Sequence, residues 1–351
     1  MMGEPDSRVN LKNLSWEELE AFVTSLGEKP FRANQLARWL YGRRARTFEE
    51  MSDLAKGFRQ KLGERARISF LENLEVKASA DGTRKYRFLL TDCETIESVL
   101  LPEKGHFTLC LSTQAGCALG CKFCLTGSRG FKRNLCAAEI VDQVIGVQAA
   151  LSAEEKLTNL VLMGMGEPLN NFQNVVKALE IIRSSRGLHF SHRRVTLSTA
   201  GIIPEMEELF SRPHFVQLAV SLNASSDEQR SQLMPINRKY PLRDLLAACR
   251  RIPLARREKI TFEYVLIKGV NDAEEDARRL VQLLEGIPAK VNLIPFNEHP
   301  GSPFQRPDDD AVRRFRAVLM ASHFTTMVRM SKGLDIMAAC GQLGGSLLKT
   351  Y

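Results

Sequence analysis

The sequence predicts an α/β protein built as a partial (β/α)6 barrel with a small N-terminal helical domain. Two observations lead to this fold class. In residues 104–351, short apolar segments alternate six times with amphipathic helical segments, a pattern typical of parallel strands joined by helices. Residues 1–67, in contrast, show only helical periodicity. Six units are fewer than the eight of a closed barrel, so we expect an open one.

Residues 1–67 are predicted to form the small helical accessory domain. Ser15–Glu18 has a capping-box pattern and precedes an apolar run at helical spacing. A second helical pattern starts near Arg32, and a third covers Phe48–Leu62. Between residues 28 and 67 the chain has eleven Lys or Arg and five acids. This excess is compatible with a solvated helical surface and equally with a surface that contacts RNA phosphates.

Residues 68–103 are predicted to form a β-rich connecting segment, because apolar and polar side chains alternate around the turn signal Asp81-Gly82. The core follows. Its predicted strands are Phe107–Ser112, Leu160–Met163, Val195–Ser198, Val216–Leu222, Ile260–Ile267 and Lys290–Pro295. The helices expected after them lie near Ala137–Leu151, Val175–Arg183, Pro204–Phe210, Leu242–Ile252, Glu274–Leu284 and Asp309–Ser322. Active sites in such sheets gather at the carboxyl ends of the strands.

The composition excludes several classes of protein. No apolar run approaches the roughly 20 residues that span a bilayer. The polar first ten residues lack the apolar stretch of a signal peptide. We therefore expect a cytoplasmic protein without a membrane partner, in which eight cysteines indicate metal binding or catalysis rather than disulfides. The net charge of +8 favours anionic partners such as nucleic acid.

Three cysteines with the spacing C-x3-C-x2-C give the strongest signal. Cys117, Cys121 and Cys124 directly follow the first predicted core strand. Thiolates suit iron–sulfur clusters and zinc. A structural zinc ion takes four protein ligands, and no fourth lies nearby at a usual spacing. A [4Fe-4S] cluster held by three cysteines leaves one iron open to substrate. Buried structural cysteines and a zinc site with a distant fourth ligand remain the alternatives.

Small polar residues follow the other predicted strands. The turn that contains Gly166 and Glu167 follows the second strand, and it allows close backbone approach and acceptance from an ammonium group. Taken singly, these residues are as typical of helix caps and turns. Taken together, they place polar groups on one rim, as a ligand-binding site requires. The others in this set are Ser198, Ser221-Leu222-Asn223 and Asn297.

The triplet and its position resemble the radical-SAM superfamily. There the open iron chelates S-adenosylmethionine, which reduction cleaves to a 5′-deoxyadenosyl radical. Further motifs narrow the resemblance to the dual-specificity RNA methyltransferases of RlmN type, within the RlmN/Cfr family. The motifs are Leu26–Arg32, Ser79–Thr83, Phe123–Leu135, Met163–Leu169, Arg194–Thr199, Val291–Asn297 and Ala338–Leu343. Together they cover nearly the full chain, from about residue 11 to 347.

The resemblance implies methylation of C2 of an adenine in 23S rRNA, and of an adenine beside the tRNA anticodon. It implies a [4Fe-4S] cluster on the triplet and two molecules of S-adenosylmethionine per turnover. Gly166, Glu167 and the small polar residues above match the S-adenosylmethionine contacts. A flavodoxin or ferredoxin is the expected electron donor, and a monomer is expected because RNA must reach the barrel mouth.

The resemblance also assigns catalytic roles. Cys340 matches the cysteine that becomes methylated, Cys110 matches its partner, and Glu97 matches an active-site carboxylate. The Cys340 thiolate takes a methyl group, the deoxyadenosyl radical removes one of its hydrogens, and the carbon adds to adenine C2. Attack by Cys110 then releases the RNA and forms a Cys110–Cys340 disulfide. Without the resemblance, a lone cysteine predicts a buried small hydrophobe.

Two residues depart from the family pattern. Asn223 replaces a frequent His but still donates and accepts hydrogen bonds. Lys332 replaces an Arg and loses its bidentate fork. Three alternatives stay open: an adenine C8 methyltransferase of 23S rRNA, a non-catalytic iron–sulfur RNA-binding protein, and a radical-SAM enzyme acting on a small molecule. Cys93, Cys136 and Cys249 receive no role beyond a structural one.

Overall fold

The computed structural model describes residues 7–212 and 215–344. The outer ends of the predicted segments 1–67 and 104–351 therefore lie outside the described residues. Within the described ranges, no helix is long and apolar enough to cross a membrane.

The described chain alternates strands and helices along most of its length. The strands are β1 (Val9–Asn10), β2 (Ala66–Arg67), β3 (Glu72–Ala78), β4 (Arg84–Leu89), β5 (Thr95–Glu103), β6 (His106–Cys110), β7 (Gln114–Gly116), β8 (Phe131–Asn134), β9 (Leu157–Leu162), β10 (Val195–Thr199), β11 (Gln217–Ser221), β12 (Ile260–Leu266), β13 (Ala289–Pro295) and β14 (Thr325–Val328). The helices are α1 (Trp16–Ser25), α2 (Arg32–Ala37), α3 (Lys56–Arg65), α4 (Leu125–Ser128), α5 (Ala137–Ala149), α6 (Phe172–Arg183), α7 (Ile203–Phe210), α8 (Asp227–Leu233), α9 (Leu242–Arg251), α10 (Glu274–Leu284) and α11 (Asp309–Ala321).

The chain divides into two compact units. The first comprises residues 1–72, 135–154 and 173–191, and the second comprises the remainder. This division groups α1–α3 with α5 and with α6, helices that the sequence assigns to the core segment.

Side-chain pairs hold the first unit together. The ammonium of Lys12 lies 2.7 Å from the carboxylate of Asp142 on α5, and both side chains are buried. Lys177 on α6 pairs with Glu18 on α1 at the same distance. The predicted capping box is confirmed: the Ser15 hydroxyl accepts from the Glu18 amide, and the Glu18 carboxylate accepts from the Ser15 amide. The small helical module thus packs on α5 and α6 through specific charge pairs.

The second unit confirms the open, partial barrel. Its main sheet has ten strands in the order β14-β13-β12-β11-β10-β9-β6-β5-β4-β3. From β6 to β14 neighbouring strands are parallel, whereas β4, β5 and β6 pair antiparallel. All six predicted core strands lie within this sheet, and β14 adds a seventh parallel strand. The β-rich segment extends the same sheet at its other edge.

One helix prediction for the N-terminal segment needs correction. Helical structure over Phe48–Leu62 is limited to α3, which starts at Lys56, although Met51 and Leu54 before it are buried. The helix predicted from Arg32 is confirmed, and it continues past Ala37 as a π-helical turn over Arg38–Gly42.

Candidate active site

The first cavity lies at the carboxyl ends of the parallel strands in the second unit. It encloses about 930 Å³, counting the part open to solvent. Ten predicted site residues line it: Cys117, Cys121, Cys124, Gly166, Glu167, Ser198, Ser221, Asn223, Asn297 and Cys340. The structure therefore brings together in one place residues that span more than two hundred positions of the chain.

The cysteine triplet occupies a loop whose start requires glycine. Gly116 has φ +74°, and a Cβ there would lie 2.0 Å from the carbonyl oxygen of Gly130. The Cys117 amide donates to that carbonyl at 3.0 Å, and the Cys124 amide donates to the Cys121 carbonyl at 3.2 Å. Burial raises the pKa of Cys117 to about 11 and also raises that of Cys121. The loop thus presents three thiols to the cavity.

The turn after β9 places a buried carboxylate in the cavity. Gly166 has φ +101°, and a Cβ there would lie 2.5 Å from the Gln114 side chain. The Glu167 carboxylate accepts from the Thr199 hydroxyl at 2.6 Å and from the Ala200 amide at 2.8 Å. Burial raises the pKa of Glu167, and these hydrogen bonds work in the opposite direction. The carboxylate is therefore fixed in position, and it is suited to a cationic group of a ligand.

Three more strand ends contribute small polar residues. Ser198 and Ser221 lie at the ends of β10 and β11 and face the cavity. Asn223 has φ +59°, a conformation that Asn tolerates, and its side-chain oxygen accepts from the Val265 amide at 2.9 Å. Leu222, by contrast, is fully buried and does not line the cavity. Its position fits a role in packing β11 rather than in contact through its side chain.

Asn297 connects the sheet to the C-terminal segment. Its side-chain amide donates to the Cys340 carbonyl at 3.0 Å, and its side-chain oxygen accepts from the Ser331 hydroxyl. The Leu125 amide, next to the triplet, donates to the Gly341 carbonyl at 2.8 Å. Cys340 is therefore held between the end of β13 and the cysteine loop.

A second cavity adjoins the same cysteine. It encloses about 960 Å³, counting the part open to solvent, and it is lined by Cys110, Cys340, Met163 and Arg329 among others. Cys110 is buried at the end of β6, whereas Cys340 is exposed in the cleft, and both are free thiols. Crowding by surrounding protein atoms raises the pKa of both thiols. Cys340 lines both cavities, and Cys110 lines only the second.

The structure places Glu97 outside both cavities. Its carboxylate lies 3.4 Å from the Lys85 ammonium and accepts from the Gly344 amide at 3.0 Å. Glu97 is only 5% exposed, and the active-site role that the resemblance assigns to it stays a prediction. In this position it anchors the C-terminal segment. The cysteines without an assigned role also lie away from both cavities; they are Cys93, Cys136 and Cys249.

Three charged residues of the site were not found from the sequence, and two of them, Glu263 and Arg329, form a pair. Glu263 on β12 lines the first cavity, and Arg329 lines the second. Their charged groups lie 3.5 Å apart. The positive charge of Arg329 opposes the effect of burial on the pKa of Cys340 and Cys110. An acidic residue within a strand and an arginine just after one have no distinctive local pattern, so only the fold reveals this pair.

Similarity to known proteins defines the class of the chain and then the family. Residues 111–281 match the model of the radical SAM superfamily, so the chain is a radical-SAM protein. Residues 9–68 match the model of the ribosomal RNA large subunit methyltransferase N-terminal domain. A dual-specificity RNA methyltransferase RlmN from Geobacter sulfurreducens is 55% identical over 97% of this chain and 94% of that protein. The chain belongs to this RlmN family.

Other relatives agree with this family. The dual-specificity RNA methyltransferase RlmN of Geotalea uraniireducens is 53% identical over 97% of this chain and 98% of its own length. Among solved structures, a radical SAM methyltransferase from Sphaerobacter thermophilus has a TM-score of 0.89 and 42% identity. That match covers 95% of this chain and 99% of the solved one.

Membership of the radical-SAM superfamily implies a [4Fe-4S] cluster and S-adenosylmethionine. The residues present fit both groups. Cys117, Cys121 and Cys124 face one cavity from one loop, and thiolates are the usual ligands of such clusters. Within 7–212 and 215–344, no three His, Cys, Asp or Glu side chains are close enough to hold a single metal ion. The thiols of a cluster site are wider apart than single-ion ligands, because the cluster itself lies between them.

Proposed function

We propose that this enzyme methylates C2 of adenine in 23S rRNA and in tRNA, through an S-methylated Cys340. The observation that supports this most strongly is the position of Cys340, which lines both cavities. A residue at such a junction can receive a group from a ligand in one cavity and pass it to a base in the other. Neither cavity alone supplies this connection.

The first cavity suits the sulfonium donor. Glu167 offers a fixed carboxylate for an ammonium group, and Ser198, Ser221 and Asn297 offer small polar groups around it. The cluster, when bound by the triplet, supplies the electron that cleaves S-adenosylmethionine to a 5′-deoxyadenosyl radical. We propose two molecules of S-adenosylmethionine per turnover, since one gives its methyl group to Cys340 and another gives the radical.

The second cavity suits the adenine. It has apolar and thioether surfaces, including Met163 and Met330, beside the cationic Arg329 and Lys332. A flat base can pack on the apolar side chains, while the cations face the RNA backbone. The target adenine must leave its stack to enter this cavity.

The two cysteines of the second cavity suit the release step. Before release, the adduct loses the C2 proton and one electron, which offsets the electron consumed in the cleavage of S-adenosylmethionine. Cys110 then attacks the Cys340 sulfur, and the bond between that sulfur and the RNA-linked carbon breaks. Its electron pair stays on the carbon, which takes up a proton, and a Cys110–Cys340 disulfide forms. A thiol reductant must reopen this disulfide before the next turnover. A flavodoxin or ferredoxin is the proposed one-electron donor, and we propose that the monomer acts in the cytoplasm.

The test is anaerobic turnover of the reconstituted protein with unmodified 23S rRNA and with tRNA, followed by nucleoside mass spectrometry. The proposal predicts 2-methyladenosine and identifies which RNA carries it. An 8-methyladenosine product would instead assign the chain to the C8-methylating relatives. Cleavage of S-adenosylmethionine without methylated adenosine would contradict the RNA substrate. RNA binding without any cleavage would favour a non-catalytic iron–sulfur protein.

A further inference from the structure

Arg230 on α8 is a completely buried cation next to the first cavity. Its side chain has 0% exposure. The guanidinium donates to five oxygens of the surrounding chain. They are the carbonyls of Ala200 at 2.7 Å, Leu222 at 3.1 Å, Ser221 at 3.3 Å and Tyr240 at 3.3 Å, and the side-chain oxygen of Asn237 at 2.9 Å. Arg230 therefore ties together the ends of β10 and β11.

These five acceptors are neutral, so the positive charge itself is not balanced by them. Among the described residues no carboxylate lies within ion-pair distance of Arg230, whereas Arg329 pairs with Glu263. The nearby carboxylate of Asp227 is exposed and accepts instead from the amides of Asn237 and Leu242. Burial lowers the pKa of Arg230 to about 10, which leaves it protonated near neutral pH. A buried charge without a counter-charge is costly. This cost suggests that an anionic group is normally nearby.

The cysteine triplet becomes anionic when it holds a cluster, and it shares the first cavity with two residues whose carbonyls bind Arg230, Ala200 and Ser221. Helix α8 also bonds to the triplet loop, because the Lys122 amide donates to the Leu233 carbonyl at 2.9 Å. Leu233 packs in the same apolar cluster as Phe123, against which Cys121 lies. The cation is therefore fixed relative to the cysteine loop by backbone and apolar contacts.

We propose that Arg230 is the counter-charge of the iron–sulfur cluster and makes its reduction easier. Three thiolates give the cluster site a net negative charge, and the added electron makes it more negative. A fixed cation stabilises the reduced form more than the oxidised form, so it raises the reduction potential. The same side chain positions the strand ends that carry Ser221 and Ala200. This inference depends on the cluster of the proposed function but not on the RNA substrate.

The competing explanation is that Arg230 is purely structural and crosslinks three chain segments through its hydrogen bonds. The two explanations differ in which property of the side chain matters. A structural role depends on the five hydrogen bonds, and Lys cannot replace them. A counter-charge needs only the positive charge, which Lys keeps.

The test compares Arg230→Gln and Arg230→Lys with the unsubstituted protein after cluster reconstitution. The measurements are iron and sulfide content, the ratio of reduced to oxidised cluster by electron paramagnetic resonance at fixed applied potentials, and the melting temperature of the cluster-free protein. The proposal predicts that Arg230→Gln lowers that ratio at least tenfold, which is 59 mV for a one-electron couple. Arg230→Lys should keep the ratio within a factor of three while lowering the melting temperature. Arg243→Gln on α9 is the matched control, since Arg243 is 87% exposed, and it should change neither.

The outcomes separate the explanations. Equal ratios in the Gln, Lys and unsubstituted proteins would overturn the counter-charge role. If Arg230→Gln does not fold, Arg230→Met is the second neutral variant, because it leaves no polar group of its own unpaired. Loss of cluster uptake by both neutral variants but not by Arg230→Lys supports the proposal, and loss by all three contradicts it. If the unsubstituted protein takes up no cluster, the proposed function itself fails.

Discussion

The two cavities that share Cys340 are built in different ways. The first is formed by short motifs at the ends of consecutive parallel strands, joined by the cysteine loop. The second is formed by β5, β6 and the segment after β14, which are far apart in sequence. Strand ends and the cysteine loop form most of the first cavity, whereas the second depends more on how the segment from residue 329 to 344 is held.

The two cavities therefore suit different parts of the proposed reaction. The rigid cavity suits the S-adenosylmethionine chemistry common to the superfamily, and the cavity completed by the C-terminal segment suits the RNA base. Hydrogen bonds hold that segment at several points: the Ser79 hydroxyl donates to Asp335 at 2.6 Å, the Gly333 amide donates to the Asp81 carboxylate at 2.8 Å, and the Asn297 side-chain amide donates to the Cys340 carbonyl at 3.0 Å. Variants in each cavity should therefore separate cofactor binding from methyl transfer.

Replacing the shared residue should have the largest effect. Cys340→Ala removes the sulfur that carries the methyl group, so methylated adenosine should fall below detection in the turnover assay. Binding of S-adenosylmethionine, measured by equilibrium dialysis, should remain. Cys93→Ala is the matched control, because Cys93 is an exposed free thiol outside both cavities, and its turnover should be unchanged. Normal turnover by Cys340→Ala would contradict the role of Cys340 as the methyl carrier between the two cavities.

Changing only the first cavity should weaken the binding of S-adenosylmethionine. Glu167→Gln keeps the shape of the side chain but removes the charge that faces the ligand ammonium. We expect affinity for S-adenosylmethionine to fall roughly 10- to 100-fold, because hydrogen bonds to charged groups contribute about 1.5 to 3 kcal/mol. Alkylation of Cys340 by iodoacetamide should keep its rate. An unchanged dissociation constant would contradict the role of Glu167.

Changing only the second cavity should alter thiol reactivity. Crowding by surrounding protein atoms raises the pKa of Cys340 and the Arg329 charge works against this, so Arg329→Met should raise that pKa further. Only the thiolate reacts with iodoacetamide, so the rate increases with pH, and the variant should need a higher pH for the same rate. We therefore expect alkylation near neutral pH to slow several-fold in the variant. Arg329→Lys keeps the charge and should react faster than Arg329→Met; equal rates would contradict the electrostatic role.

Weakening one anchor of the C-terminal segment should have the smallest effect. Partial burial raises the pKa of Asp81, but hydrogen bonds from Thr83, Gly333 and Ser79 outweigh it and lower this pKa to about 2. Because the folded-state pKa is depressed, the stabilisation is present above the unfolded pKa of about 3.9 and is lost as pH falls toward 2. Asp81→Asn should cost less than about 1 kcal/mol at neutral pH, since Asp81 is exposed. Urea titrations of both proteins should show the difference between their free energies of unfolding becoming smaller as the pH falls from about 5 to 3. A difference that grows would contradict the stabilising role of the Asp81 carboxylate.

The sequence predicts the first cavity better than the second. Strand and helix alternation, and the motif around Cys117, are local patterns, so the open barrel and the placement of Glu167 and Ser198 follow from them. Strand β14 was missed because four residues with two exposed side chains show no clear period. The Glu263–Arg329 pair and the burial of Glu97 depend on which strands become neighbours, and single-sequence patterns do not contain that information. Cys340 was found only through family resemblance.

The central claim is that Cys340 passes the methyl carbon from one cavity to a base in the other. Removing the resolving thiol should stop the reaction after that transfer. Cys110→Ala protein, incubated anaerobically with RNA, S-adenosylmethionine and a reductant, is digested with nuclease and protease and analysed by mass spectrometry. The account predicts an adenosine joined to Cys340 through one carbon derived from the S-adenosylmethionine methyl group. Free 2-methyladenosine at the unsubstituted rate, or an adduct on a different residue, would contradict it.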